Sequence, residues 1–228
     1  MNEKDVLNGE HANCHECGDF KQELIVHFPY AVCSVAFALI GAAILSYFTF
    51  GATPEVVQKG THALFHTFHF VHIVFAATGA LLTYFRFSKN LIGGLIVATL
   101  STAVFCVLSD VLMPYIGGSI LGVKMCLHIC FISRFYKVAP FLFVGLINGW
   151  VLSQHKKGLQ SHYSIWSHFT HIFISSVASL LYLISHGFHN WQSSIGGVFL
   201  ILILAVVIPC TLSDVVVPMF FARLTEKK

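Results

Sequence analysis

Residues 106–114 read C-V-L-S-D-V-L-M-P, and residues 210–218 read C-T-L-S-D-V-V-V-P. Upstream of each nonapeptide lies a second matched pair, H-F-V-H-I at 69–73 and H-F-T-H-I at 168–172, and Ile-Gly-Gly recurs between them at 92–94 and 195–197. The chain is a duplication, so any fold proposed for one half must also suit the other.

The two halves are too apolar for water. Hydrophobic residues make up 56% of the chain and charged residues 10%, where soluble domains carry about 25% charged residues. A helix crosses a bilayer with about 20 apolar residues. Runs of that length lie at 24–50, 61–87, 91–116, within 121–153, and at 163–185 and 194–221. None alternates apolar and polar positions as the strands of a membrane barrel do. The expected fold is an all-α integral membrane protein with six transmembrane helices. Its parts are a tail at 1–23, a first three-helix repeat at 24–117, a second at 118–223 and a short tail at 224–228. Three crossings is an odd number, so the second repeat enters the bilayer inverted relative to the first.

Orientation follows from lysine and arginine, which collect on the cytoplasmic side. Six crossings put Lys4, Lys21, Arg86, Lys89, Lys156, Lys157, Arg223, Lys227 and Lys228 on one side, and Lys59, Lys124, Arg134 and Lys137 on the other. Both termini are then cytoplasmic, in a multi-pass protein of the plasma (inner) membrane. A seventh crossing at 121–132 would erase this asymmetry, so that stretch is expected to re-enter or lie at the interface. Residues 1–23 are polar and lack the apolar core of a cleavable signal. A net charge of +3 offers no basic face for nucleic acid. The partners expected are a metal ion and the lipid bilayer, with room for further copies of the chain or a partner subunit.

Asp110 and Asp214 are the only acidic residues inside the apolar runs. A carboxylate at the bilayer centre costs about 3 kcal/mol even on insertion scales, so its default explanation is functional, with a partner close by. The bland alternative is a carboxylate held by Ser109 or Ser213 that merely pins two helices. Two aspartates at matched positions, each with a matched His-x-x-His, favour the functional one.

The second helix carries His62, His66, His69 and His72, which at 3.6 residues per turn fall on one face. His69 and His72, one turn apart, can reach a single ion. Asp110 lies near the end of the third helix, at the depth where the second helix brings these imidazoles. Pro114 follows Asp110 by four residues and Pro218 follows Asp214 by four. A proline at i+4 has no amide to give the carbonyl of residue i, so each turn offers a carboxylate, a free carbonyl and, at i−4, Cys106 or Cys210. The expected metal ligands are His69, His72, Asp110, His168, His171 and Asp214, as two mirrored pockets. His62, His66, Cys106, Cys210 and His162 serve as accessory ligands or a proton path.

Elsewhere the signals are weaker. His11, Cys14, His15 and Cys17 place two thiols and two imidazoles within seven residues of the tail, a set that can capture a metal but lacks a second cysteine pair. Cys126, His128 and Cys130 lie in 121–132. As a helix this stretch turns His128 away from the two cysteines, which argues against a joint site. Arg134 becomes a partner for an aspartate only if the fourth crossing starts early. His186 and His189 have no repeat counterpart and are expected at the surface.

Two imidazoles and a carboxylate form a mixed nitrogen and oxygen site suited to divalent transition metals such as Zn, Fe or Mn, with Co and Ni also compatible. Copper(I) would want more thioether and thiolate than a chain with four Met supplies. Inverted halves with polar groups at depth are the sequence mark of alternating-access transporters. The expected function is a transporter or channel for a divalent transition-metal cation rather than an enzyme. The alternatives are a haem protein that moves electrons, a membrane-embedded metalloenzyme and a purely structural subunit.

Overall fold

Histidines and serines cannot face hydrocarbon cheaply, so the two helices that carry them along one side should be the inner ones. In the computed structural model they are. The structure describes residues 20–154 and 157–226, and of 20–24, 26–27, 132–133 and 157–167 the backbone alone. Its helices in chain order are α1 (Phe20–Phe48), α2 (Pro54–Phe87), α3 (Leu91–Val107), a π-helical turn (Leu108–Leu112), α4 (Met113–Ile120), α5 (Cys130–Ser133), α6 (Phe135–Ser153), α7 (Lys157–Ser185), a 3-10 turn (Trp191–Ser194), α8 (Ile195–Thr211), a second π turn (Leu212–Val216) and α9 (Val217–Glu226). Among the described residues six segments are long and apolar enough to cross a membrane, the third and sixth running unbroken through their π turns.

The histidine helices α2 and α7 pack on each other at the centre, with α3 and α6 against α2, and α1 and α8 against α7. Small buried residues, Ala76, Ala77 and Ala80 on α2 and Ser175, Ala178 and Ser179 on α7, let backbones approach in a setting where close packing replaces the hydrophobic effect. Gly145 and Gly149 do the same for α6. A Cβ added at Gly145 would stand 2.6 Å from the Val74 carbonyl, and one at Gly149 3.0 Å from the Thr78 carbonyl. Thr78 Oγ then donates to the Gly145 carbonyl at 3.0 Å. Outward, Phe37 and Ile44 of α1, Leu100 and Val104 of α3, and Leu200 and Leu204 of α8 are exposed, as a lipid-facing surface requires.

The helices are longer than the apolar runs. The second begins at Pro54, in the first turn, with Glu55 beside it, where the amide lost to proline is unpaired anyway. That start lies seven residues before the apolar run at 61 and moves the middle of the helix to His69 and His72. The stretch 121–132 is not a helix. The chain turns at Gly122, whose φ of +81° suits glycine, runs without regular structure over 123–129 and closes with the single turn of α5. Leu121, Val123 and Met125 pack on the bundle, so it does not cross.

Both aspartates sit inside the π turns, at the third residue of five. In each, the first amide of the following helix bonds five residues back, Met113 to the Leu108 carbonyl and Val217 to the Leu212 carbonyl. Proline explains the register. The carbonyl of Ser109 has lost its α partner, Met113, to Leu108, and its π partner is Pro114, which has no N–H. The freed carbonyl is therefore that of Ser109, one residue before the Asp110 carbonyl expected from helical spacing, and by the same shift Ser213 rather than Asp214. Each is filled from a different helix: Ser179 Oγ donates to the Ser109 carbonyl at 3.0 Å and Ser101 Oγ to the Ser213 carbonyl at 3.0 Å. Neither is left over as a ligand. Such single π turns inside α-helices occur often at functional sites.

Candidate metal centre

The π turn widens the helix and turns its aspartate toward the histidine stripe. Asp110 is fully buried and saturated. One oxygen, Oδ2, accepts from His69 Nδ1 at 2.8 Å and His72 Nδ1 at 2.6 Å. The other, Oδ1, accepts from Ser109 Oγ at 2.9 Å and Ser175 Oγ at 2.8 Å. The bland serine contact is thus present, but it occupies one oxygen while two imidazoles hold the other. In the second half, Asp214 Oδ2 meets His171 Nδ1 at 2.5 Å, with His168 Nδ1 at 3.8 Å.

The halves depart from symmetry in one informative place. The His-x-x-His pair recurs 99 positions on, so Ser175 of α7 occupies the place of Ala76 on α2. The Asp110 side has that hydroxyl and the Asp214 side does not. Accordingly Asp214 Oδ1 and Ser213 Oγ are buried without a hydrogen-bond partner. Asp214 in turn presses on the bare backbone of α2, where a Cβ on Gly79 would stand 2.9 Å from its Oδ2.

Separate mirrored pockets were expected, and the structure joins them. His72 Nε2 lies 2.6 Å from His171 Nε2, which links His69, Asp110, His72, His171 and Asp214 in one buried chain of contacts, with His168 beside its far end. An ionised carboxylate only accepts, so each of these two histidines offers Asp its Nδ1–H and turns its Nε2 toward the other. Two bare lone pairs cannot meet at that distance. One proton, or one cation, must lie between them.

Two thiols flank this point, Cys106 Sγ at 4.0 Å and Cys210 Sγ at 4.0 Å from His72 Nε2. Among the described residues, donor atoms within 4.8 Å of one another form four groups: His69, His72 and Asp110; His168, His171 and Asp214; His72, His171 and Cys210; and His66, His128 and Cys130. The first two are the expected sets. The third lies where they meet and has a thiol, so it is softer than the nitrogen and oxygen site foreseen. Here the carboxylates hold the far nitrogens of the imidazoles, as they do behind metal-bound histidines.

The remaining expected residues divide. His66 donates Nδ1–H to the His62 carbonyl at 3.0 Å, and the two rings stand 4.4 Å apart. The backbone of His162 lies in α7 and its side chain is outside the described residues, as are His11, Cys14, His15 and Cys17. His189 is exposed and His186 is half-buried: it stacks 4.1 Å from Tyr182 and lies 5.7 Å from His62. His128, doubted as a ligand on the assumption of a helix, sits on irregular chain and comes within reach of Cys130 and His66. Burial, aided by the Arg134 charge, lowers the pKa of His128, and burial lowers that of His186. Burial also pushes the Cys130 thiol up to about 11.

No protein-family model, curated protein or solved structure matches the chain.

Proposed function

We propose that the protein is a transporter or channel that carries a divalent transition-metal cation, of the Zn, Fe or Mn class, across its membrane. The observation that carries this reading is the contact between His72 and His171 at 2.6 Å. It makes one continuous file from two sets of ligands that start from opposite ends of the bundle. Along α2 the file runs His62, His66, His69, His72, and along α7 it continues His171, His168. The three buried groups share His72 and His171, so within them an ion can gain its next ligand before it loses its last, which is what conduction through weak, repeated sites requires. Inverted repeats at 24–117 and 118–223, with both termini cytoplasmic in the plasma membrane, give this file its two mouths. His69, His72 and Asp110 serve the outer half, and His168, His171 and Asp214 the inner.

At the centre, two imidazole nitrogens on a tetrahedral zinc ion stand about 3.3 Å apart, from zinc–nitrogen bonds of about 2.0–2.1 Å. The observed 2.6 Å needs to open by only about 0.7 Å to admit the ion in place of the shared proton. Release of that proton on ion binding follows from the replacement. A haem would need His72 and His171 to part far enough to admit its ring, more than the opening of about 0.7 Å that a bare ion asks of them.

Purified protein in sealed vesicles tests the reading. Wild type should pass Zn, Fe or Mn ions down a gradient, and an Asp110→Asn, Asp214→Asn double variant should not. Equal flux through both, or through empty vesicles, removes the assignment. A Soret band in the purified protein would favour haem instead.

A further inference from the structure

We propose that His66, His128 and Cys130 form a separate loading site for a borderline-soft divalent transition-metal ion, at the mouth of the bundle ringed by residues 121–134, His186 and the start of α2. As a metal site it stands on its own geometry; that it feeds the buried file rests on the transport reading.

Each ligand is prepared in a different way. His66 gives its Nδ1–H to the His62 carbonyl at 3.0 Å, which fixes the tautomer and leaves the Nε2 lone pair bare. That nitrogen faces Cys130 Sγ at 3.5 Å. A tetrahedral zinc ion with bonds of about 2.3 Å to sulfur and 2.05 Å to nitrogen would set the two about 3.6 Å apart, so the pair already has the required spacing. His128 Nε2 is buried without a hydrogen-bond partner, and a ring nitrogen of His128 lies within 4.8 Å of the other two ligand atoms. Tyr182 holds this loop in place from α7: its hydroxyl accepts the His128 amide at 3.2 Å and donates to the Cys126 carbonyl at 3.2 Å.

The way in is open. A cavity of about 480 Å³ lies above, lined by Gln58, His62, Cys126, His128 and His186 among others. His62 and His186 stand 5.7 Å apart across it and can supply the fourth ligand in passing. Below, His69 follows His66 by three residues on the same face of α2, so the loaded ion is one turn from the first buried set. Arg134 lies four residues after Cys130, on the same short stretch of chain as His128. It opposes tight holding of a cation, as suits a way station that must release what it binds.

Cobalt(II) tests the site, since thiolate-bound cobalt gives a charge-transfer band and can be counted by titration of the detergent-purified full chain. Wild type should show that band, and Cys130→Ser and His128→Ala should each bind one equivalent fewer, with affinity for that equivalent at least tenfold lower. His128 lies on irregular chain, so its truncation should leave the bundle folded even if Cys130→Ser does not. His72→Ala should keep this equivalent and lose a different one. If His128→Ala binds as much cobalt as wild type with the same band, the loading site is wrong. If His128→Ala loses its equivalent while ion flux through vesicles is absent in wild type, the loading site stands and the transport reading falls.

Discussion

Gly79 gives the sharpest separation between folding and ion holding. A Cβ there would stand 2.9 Å from Asp214 Oδ2 and 3.1 Å from its Cγ, where ordinary contacts begin at 3.4 Å. In Gly79→Ala the carboxylate must therefore retreat from α2 by about 0.5 Å, which disturbs its 2.5 Å contact with His171. A hydrogen bond to a charged group is worth about 1.5–3 kcal/mol net, and 1.4 kcal/mol is tenfold in affinity. The contact stretches to at most about 3.0 Å and is weakened rather than lost, so ion affinity at the Asp214 end should fall by up to about tenfold. Meanwhile alanine in mid-helix is favoured over glycine by about 0.8–1 kcal/mol, so thermal stability should hold or rise. Calorimetric titration of zinc into purified protein, beside a melting curve, reads both. Gly41→Ala, with nothing within 4 Å of its added Cβ, is the control and should change neither. Unaltered zinc affinity in Gly79→Ala would refute the claim that Asp214 holds His171 for the ion.

Ala76→Ser restores to the second half the hydroxyl that Ser175 gives the first, and Asp214 Oδ1 is buried without a hydrogen-bond partner. Its melting temperature should rise by about 2–4 °C per kcal/mol gained, and a fall would contradict the stated cause of the asymmetry. Gly145→Leu drives a side chain into the Val74 carbonyl of α2 and should cost several degrees or abolish folding, read by size-exclusion chromatography after heating. With a proton shared between His72 and His171 in the ion-free protein, ion binding at the centre should release one proton. Affinity then rises about tenfold per pH unit where that single proton is displaced, as a titration in two buffers of different ionisation enthalpy would show; no proton release contradicts the shared-proton account.

Much of the site was legible in the repeat. The matched offsets pair His69 and His72 with Asp110, and His168 and His171 with Asp214, and depth counting puts the first pair beside its acid. Their union across the bundle does not follow from the apolar runs, in which the second helix starts at residue 61. Counted from Pro54, His72 lies near the middle of α2, as His171 does in α7, and two mid-helix residues on packed central helices meet. The π turns escaped for a subtler reason: i+4 proline reads as a freed aspartate carbonyl only if the helix keeps its α register. The loop ligands were missed through a wrong period. C-x-H-x-C at 126–130 scatters around a helix but falls on one side of an extended chain, and Ile129 is extended, with φ −104° and ψ 101°.

Whether the two halves make one ion-holding centre is open to a double-mutant cycle on zinc affinity with His72→Ala, His171→Ala and the pair. A joint centre loses most of its affinity with the first removal, so the double variant should be little weaker than either single one, with a coupling of about 1–3 kcal/mol. Losses that add to within about 0.5 kcal/mol would mean two independent pockets and contradict the account.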